Sequence, residues 1–128
     1  FVIYRNKYME LDALKALTIE AIEDIKAFDI KTINVQGRNS MTDLLIFASA
    51  RSDRQAKSIA QNVINKSKQA GVQPIGVEGM QTGDWVLVDL GDIVVHVMLP
   101  QVRDFYNIEK LWDVNDTSKN SDPTETQT

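Results

Sequence analysis
A chain of 128 residues with no cysteine and a net charge of -4 is the size of one compact domain. It excludes a disulfide framework, a thiolate nucleophile and a cysteine zinc site. Its acidity makes it a poor counterion for phosphate, which argues against a purely electrostatic grip on nucleic acid and for little direct RNA contact. The lack of cysteine suits a reducing cytoplasm. No apolar run approaches the ~20 residues that cross a bilayer, so no membrane role is expected. Phe1 to Tyr8 carry Arg5 and Lys7 with no apolar stretch behind them. They are read as an N-terminal extension, outside the fold and not a secretory signal.

In chain order, Leu11, Leu14, Leu17, Ala21, Ile22, Ile25 and Phe28 recur at three- and four-residue steps, which predicts an amphipathic helix over 11–28. A short strand follows at Thr32 to Gln36, then a turn at Gly37-Arg38-Asn39-Ser40. Leu44 to Ser49 is an unbroken apolar run, expected as a central strand buried on both faces. Ser52 with Gln55 three residues on fits a capping box at the start of a second helix. Ala56, Ile59, Ala60, Val63 and Ile64 form its buried stripe, and Gly71 ends it. Gln73 to Val77 reads as a strand near a sheet edge, because Pro74 cannot donate to a ladder. Glu78 to Gly83 is a glycine-containing loop.

Trp85 to Leu90 and Ile93 to Met98 are separated only by Gly91-Asp92, a two-residue hairpin signal. Such a hairpin pairs Trp85 with Met98 and Leu90 with Ile93. Alternation then puts Val86, Val88, Leu90, Ile93, Val95 and Val97 on one wholly aliphatic face, which must be core. Trp85, Leu87, Asp89, Val94, His96 and Met98 share the other, a poorer core and a better contact surface. Pro100 opens a last short helix with Val102, Phe105, Tyr106, Ile108, Leu111 and Trp112 as buried candidates. Residues 115–128 lack apolar periodicity and are expected to be a disordered, dispensable tail, leaving 9–114 as the domain. The element order predicts an α/β or α+β fold, a mixed sheet with helices packed on it.

Charge is distributed unevenly. From Gln69 to Val102 there is no Lys or Arg, yet Glu78, Asp84, Asp89 and Asp92 fall inside that stretch. Burial explains missing lysines but not four carboxylates, so an acidic face around the hairpin is expected.

Catalytic chemistry finds little support. His96 is the single histidine and sits in mid-strand, with no G-x-S-x-G elbow to supply a nucleophile. One histidine without cysteine is too few metal ligands, and no phosphate-binding G-x-x-x-x-G-K-[ST] loop is present. Gly37, Ser40 and Asp43, on a turn leading into a strand, faintly resemble the layout of nucleotidyltransferases. That chemistry needs two carboxylates bridging metals, and Asp43 is followed by Leu44-Leu45. No cofactor, metal or catalysis is expected. A minimal nucleotidyltransferase using Asp43 stays as one alternative, and a homodimerising module joined through the Trp85 face as another.

The segment from Trp85 through Met98, with Arg103 to Trp112 after it, closely resembles the Iojap, or ribosomal silencing factor, family. So do Asp29-Ile30, Val35-Gln36-Gly37, Thr42-Asp43, Ala48-Ser49, Ser52, Gln55, Ser58-Ile59-Ala60 and Gly76-Val77-Glu78-Gly79. The similarity runs in one register from about Met9 to Trp112. It implies a nucleotidyltransferase-like fold that has lost catalysis. It implies binding to ribosomal protein L-fourteen on the joining face of the large subunit, with exclusion of the small subunit when nutrients are scarce, and often a homodimer in isolation. Its contact surface uses a tryptophan and a leucine that match Trp85 and Leu90. The hairpin register puts these two on opposite faces, unless the hairpin bulges or Leu90 reaches the surface at the turn. The candidate contact set is therefore Trp85, Leu90, His96 and Met98 with the acidic Asp84, Asp89 and Asp92.

Overall fold
A computed structural model describes residues 9–37 and 42–107. The expectations for residues 1–8, for most of the turn at 37–40, for the side chains of Phe105 and Tyr106, and for everything from Ile108 onward lie outside them.

Helix α1 (Leu11–Asp24) buries Leu14, Thr18, Ala21 and Ile22. The Thr18 hydroxyl donates to the Leu14 carbonyl at 2.7 Å, so its burial leaves no polar atom unsatisfied. The helix is shorter than the apolar stripe predicts, and Phe28 belongs to the next strand instead. Lys26 takes φ 68, a left-handed conformation that cannot continue a helix. The stop is held from outside: Gln55 donates through Nε2 to the carbonyls of Ile25 at 2.9 Å and Lys26 at 3.2 Å. A periodicity count cannot see a partner thirty residues away.

Strand β1 (Phe28–Asn34) starts earlier than expected and is irregular between Phe28 and Lys31, where Asp29 has φ 50. Strand β2 (Leu44–Ser49) is buried at every position, as its unbroken apolar run requires. Helix α2 (Asp53–Gln69) begins at Ser52, whose hydroxyl accepts from Gln55 N at 3.1 Å, while Gln55 Oε1 accepts from Arg51 N at 2.6 Å. Gly71 closes it with φ 87. Gly71 N donates to the Lys68 carbonyl at 3.0 Å and Val72 N to that of Ser67 at 2.8 Å, the pair of bonds that defines a Schellman ending.

Strands β3 (Gly76–Glu78), β4 (Trp85–Asp89) and β5 (Ile93–Met98) precede helix α3 (Pro100–Tyr106). The five strands form one mixed sheet in the order β1-β2-β5-β4-β3. Only β2 and β5 run parallel. The hairpin has the predicted register, Trp85 opposite Met98 through Asp89 opposite Val94. Leu90 N reaches the Ile93 carbonyl at 2.8 Å, and Gly91 has φ 94 at the position where a type II′ turn wants glycine. β3 is the edge expected near Pro74, although its ladder starts later than Gln73. Ile75 on its approach is 72% exposed and Val77 37%.

The two faces of the sheet differ. One carries Val86, Val88, Ile93, Val95 and Val97 with Leu44, Ile46 and Ala48, and packs against Leu14 and Ile22 of α1 and Ile59, Ala60 and Val63 of α2. The other holds a smaller cluster of Ile33, Val35, Leu45, Phe47 and Met98, joined by half-buried Trp85, Val94 and Val102. Helix α3 lies over this second face, where Arg103 Nη1 donates to the Ser49 hydroxyl at 2.7 Å.

Candidate functional site
Strand alternation puts Trp85, Leu87 and Asp89 of β4 on the second face, in register with Met98, His96 and Val94 of β5. Val86 and Val88 between them are fully buried on the helix side. Trp85, Leu87, Asp89, Val94 and His96 are half-buried. The mixed face expected of the hairpin is therefore partly open at β4 and β5. Its β1 and β2 half is closed, because Ile33, Leu45 and Phe47 are buried.

The loop before β4 fixes where Trp85 begins. Gly83 N donates to the Gly79 carbonyl at 2.9 Å, and Leu99 N to that of Asp84 at 3.0 Å. Thr82 Oγ1 donates to Asp84 Oδ1 at 2.8 Å. Gly79 (φ +86) lies against the Trp85 carbonyl, and Gly83 (φ +82) packs on Asp53 and Lys57 at the start of α2. Both glycines hold positive φ where a side chain would collide.

Trp85 and His96 meet diagonally across the hairpin, within reach of long side chains. The indole N–H of Trp85 donates to His96 Nδ1 at 3.0 Å, and the rings lie 6.0 Å apart at 49°. On its other side His96 stacks on Phe47, with centroids 4.9 Å apart and planes within 12°. An Nδ1 that accepts is unprotonated, so the ring's proton sits on Nε2. Burial lowers the His96 pKa from 6.5 to about 4, because a charged imidazolium is poorly solvated there. The lone histidine is thus hydrogen-bonded and stacked, the structural role a mid-strand histidine usually has.

The other candidates scatter. Leu90 is 5% exposed and packs in the helix-side core. The hairpin does not bulge, so Leu90 does not join Trp85 at the surface, a correction to its place in the contact set. Met98 is 1% exposed, also a correction: it supports Trp85 from below rather than offering a surface of its own. Asp84 is exposed beside Trp85. Asp89 sits at the far end of β4, where Oδ1 accepts from Gly91 N at 2.8 Å and so secures the turn. Asp92, at that same end, accepts through its backbone carbonyl from Asp43 N at 2.9 Å and Leu44 N at 3.0 Å. Asp84 is thus the acidic candidate next to the tryptophan, while Asp89 and Asp92 flank the turn.

Asp43 and Asp92 line a shallow pocket with Met9, Glu10, Leu11, Asp12, Asn34 and Gln36. Among the described residues no group of three or more His, Cys, Asp or Glu could hold a metal ion, and no helix is long and apolar enough to cross a membrane. Sequence reasoning missed Phe47 and Gly79. Phe47 looked like one more apolar residue of a buried run, and only its pairing with His96 across β2 and β5 reveals its part.

The family model for the ribosomal silencing factor during starvation matches residues 9–128. A protein from Chromobacterium violaceum named ribosomal silencing factor is 50% identical over 104 residues, covering 81% of this chain and 85% of that protein. A solved structure of a C. violaceum protein superposes with a TM-score of 0.79 at 44% identity, covering 94% of this chain and 95% of the other. More distantly, a mouse protein named for mitochondrial assembly of the ribosomal large subunit is 29% identical over 99 residues, covering 75% of this chain and 43% of its own length.

Proposed function
Because this chain belongs to the ribosomal silencing factor family, we propose that it binds the large ribosomal subunit through ribosomal protein L-fourteen. Bound there, it stands where the small subunit would dock and lowers translation when nutrients are scarce. It works in the cytoplasm and needs no turnover, metal or cofactor, since steric exclusion by a bound particle is enough. When free, the same face supports a homodimer.

The observation that carries this reading is Trp85. It is a half-buried tryptophan on a partly open sheet face, beside the exposed carboxylate of Asp84. Tryptophan is a frequent anchor because one side chain buries a large area with few torsions to freeze. A carboxylate at its flank complements a basic ribosomal protein and repels bare phosphate. The name of the mouse relative, which speaks of the ribosomal large subunit, supports the choice of subunit.

The test is co-migration with isolated large subunits on sucrose gradients, followed by small-subunit joining. The parent chain is expected to travel with large subunits and to reduce joining, and Trp85→Ala to do neither. A parent chain that stays at the top of the gradient overturns the proposal.

A further inference from the structure
We propose that His96 is a positioning residue for Trp85, holding the indole in one orientation on the open sheet face ready for its partner. This rests on the reading of Trp85 as the contact anchor. The geometry forms a relay from core to surface. Phe47 is fully buried. His96 stacks on it nearly parallel, 4.9 Å away, which fixes the plane of the imidazole. His96 Nδ1 then accepts the indole N–H at 3.0 Å. An indole has one donor and no acceptor, and His96 Nδ1 takes that donor, which directs the polar edge of the ring. A tryptophan whose polar edge is less firmly held has more freedom to lose on binding, and ordering such a side chain is a cost that weakens association. His96 itself is recessed between Phe47 and Trp85. Its contribution runs through the indole, not through direct contact with the partner.

Two substitutions separate the acceptor from the ring. His96→Phe keeps an aromatic ring to stack on Phe47 and removes the acceptor. His96→Asn removes the ring and keeps an acceptor close to where Nδ1 stands. The first readout is hydrogen exchange of the Trp85 indole N–H in the free, full-length chain, its NMR signal told from that of Trp112 by its loss in Trp85→Phe. Slow exchange is expected in the parent and in His96→Asn, and faster exchange in His96→Phe. The second readout is affinity for isolated large subunits, expected to fall about tenfold in His96→Phe, the scale of one side chain's ordering cost, and to be largely kept by His96→Asn. Fast indole exchange in the parent overturns the inference without any variant having to fold. So does a folded His96→Phe that binds as tightly as the parent while Trp85→Ala does not. If Trp85→Ala binds like the parent, the proposed contact surface fails, and the positioning role falls with it.

Discussion

The backbone of Gly79 rests against the carbonyl of Trp85: a Cβ at Gly79 would run into that oxygen and lie 3.1 Å from the carbonyl carbon. Both obstacles are backbone and cannot rotate away. Gly79 also holds φ +86, which costs an L-residue about 1–2 kcal/mol by itself. Gly79→Ala is expected to lower stability by roughly 2 kcal/mol or more and to shift the start of β4, weakening large-subunit binding as well. Gly37→Ala provides the comparison. Gly37 has φ +77 with nothing within 4 Å, so it should lose only the conformational part. Urea titrations of the two variants check this, and equal losses would show that the contact with Trp85 is soft.

Trp85→Ala and Val88→Ala should part company. Val88 is fully buried in the helix-side core, and its truncation is expected to cost about 2 kcal/mol of stability with no direct effect on the contact. Trp85 is half-buried, packed on the smaller cluster. Its truncation should cost about 1–2 kcal/mol of stability, less than a core tryptophan, and at least about 2 kcal/mol of binding. Melting temperature and co-sedimentation, measured on both variants, decide. A Trp85→Ala chain that loses stability alone marks Trp85 as core.

Stability should depend on pH through His96. Its folded pKa is about 4, below the ordinary 6.5. As pH falls below about 6.5 the unfolded chain takes up this proton first, so the stability supplied by the neutral, stacked imidazole is complete above that pH. It is lost progressively towards pH 4, where the folded form binds the proton too. Across the window the loss is about 3 kcal/mol. Carboxylates titrate in part of the same range, so the measurement is the difference between the parent and His96→Phe in urea unfolding at pH 7 and pH 4.5. Parallel declines in the two proteins would contradict the expectation.

Reversing Asp84 to lysine should weaken association with large subunits at low salt, by setting like charge against a basic partner, and the deficit should shrink as salt rises. Asp84 is exposed, and its side chain accepts from Thr82 in the same loop, so little stability is at stake. Asp89 is a poorer choice, because its carboxylate holds Gly91 N and a lysine there would loosen the turn. Association of Asp84→Lys equal to the parent at low salt would leave the aromatic anchor without an electrostatic partner.

The sheet was readable wherever the pattern is local. Gly91-Asp92 fixes the hairpin register, and the alternation of β4 and β5 assigns every residue its face, Leu90 included. The unbroken run of β2 announces a central strand, and Ser52 and Gly71 mark both ends of α2. The misses all involve residues distant in sequence. The end of α1 is decided by Gln55, so Phe28 looked helical. Met98 is buried because its face carries a second cluster with Phe47 and Leu45, and nothing in the spacing of β5 says which part of that face is closed. The chain of contacts from Trp85 through His96 to Phe47 needs β2 laid beside β5, an adjacency that no motif encodes.

That adjacency also orders events in time. The β4–β5 hairpin closes across two residues, and β3 joins it from nearby, so this three-stranded unit needs little loop closure. Pairing Leu44 with Ile93 must instead bring together segments separated by α2, β3 and β4, an entropic debt owed before any contact is gained. The hairpin contacts are therefore cheaper to form than the β2–β5 pairing. Until β2 pairs with β5, His96 has no Phe47 beneath it. The face around Trp85 and His96 is therefore complete only once β2 has docked beside β5.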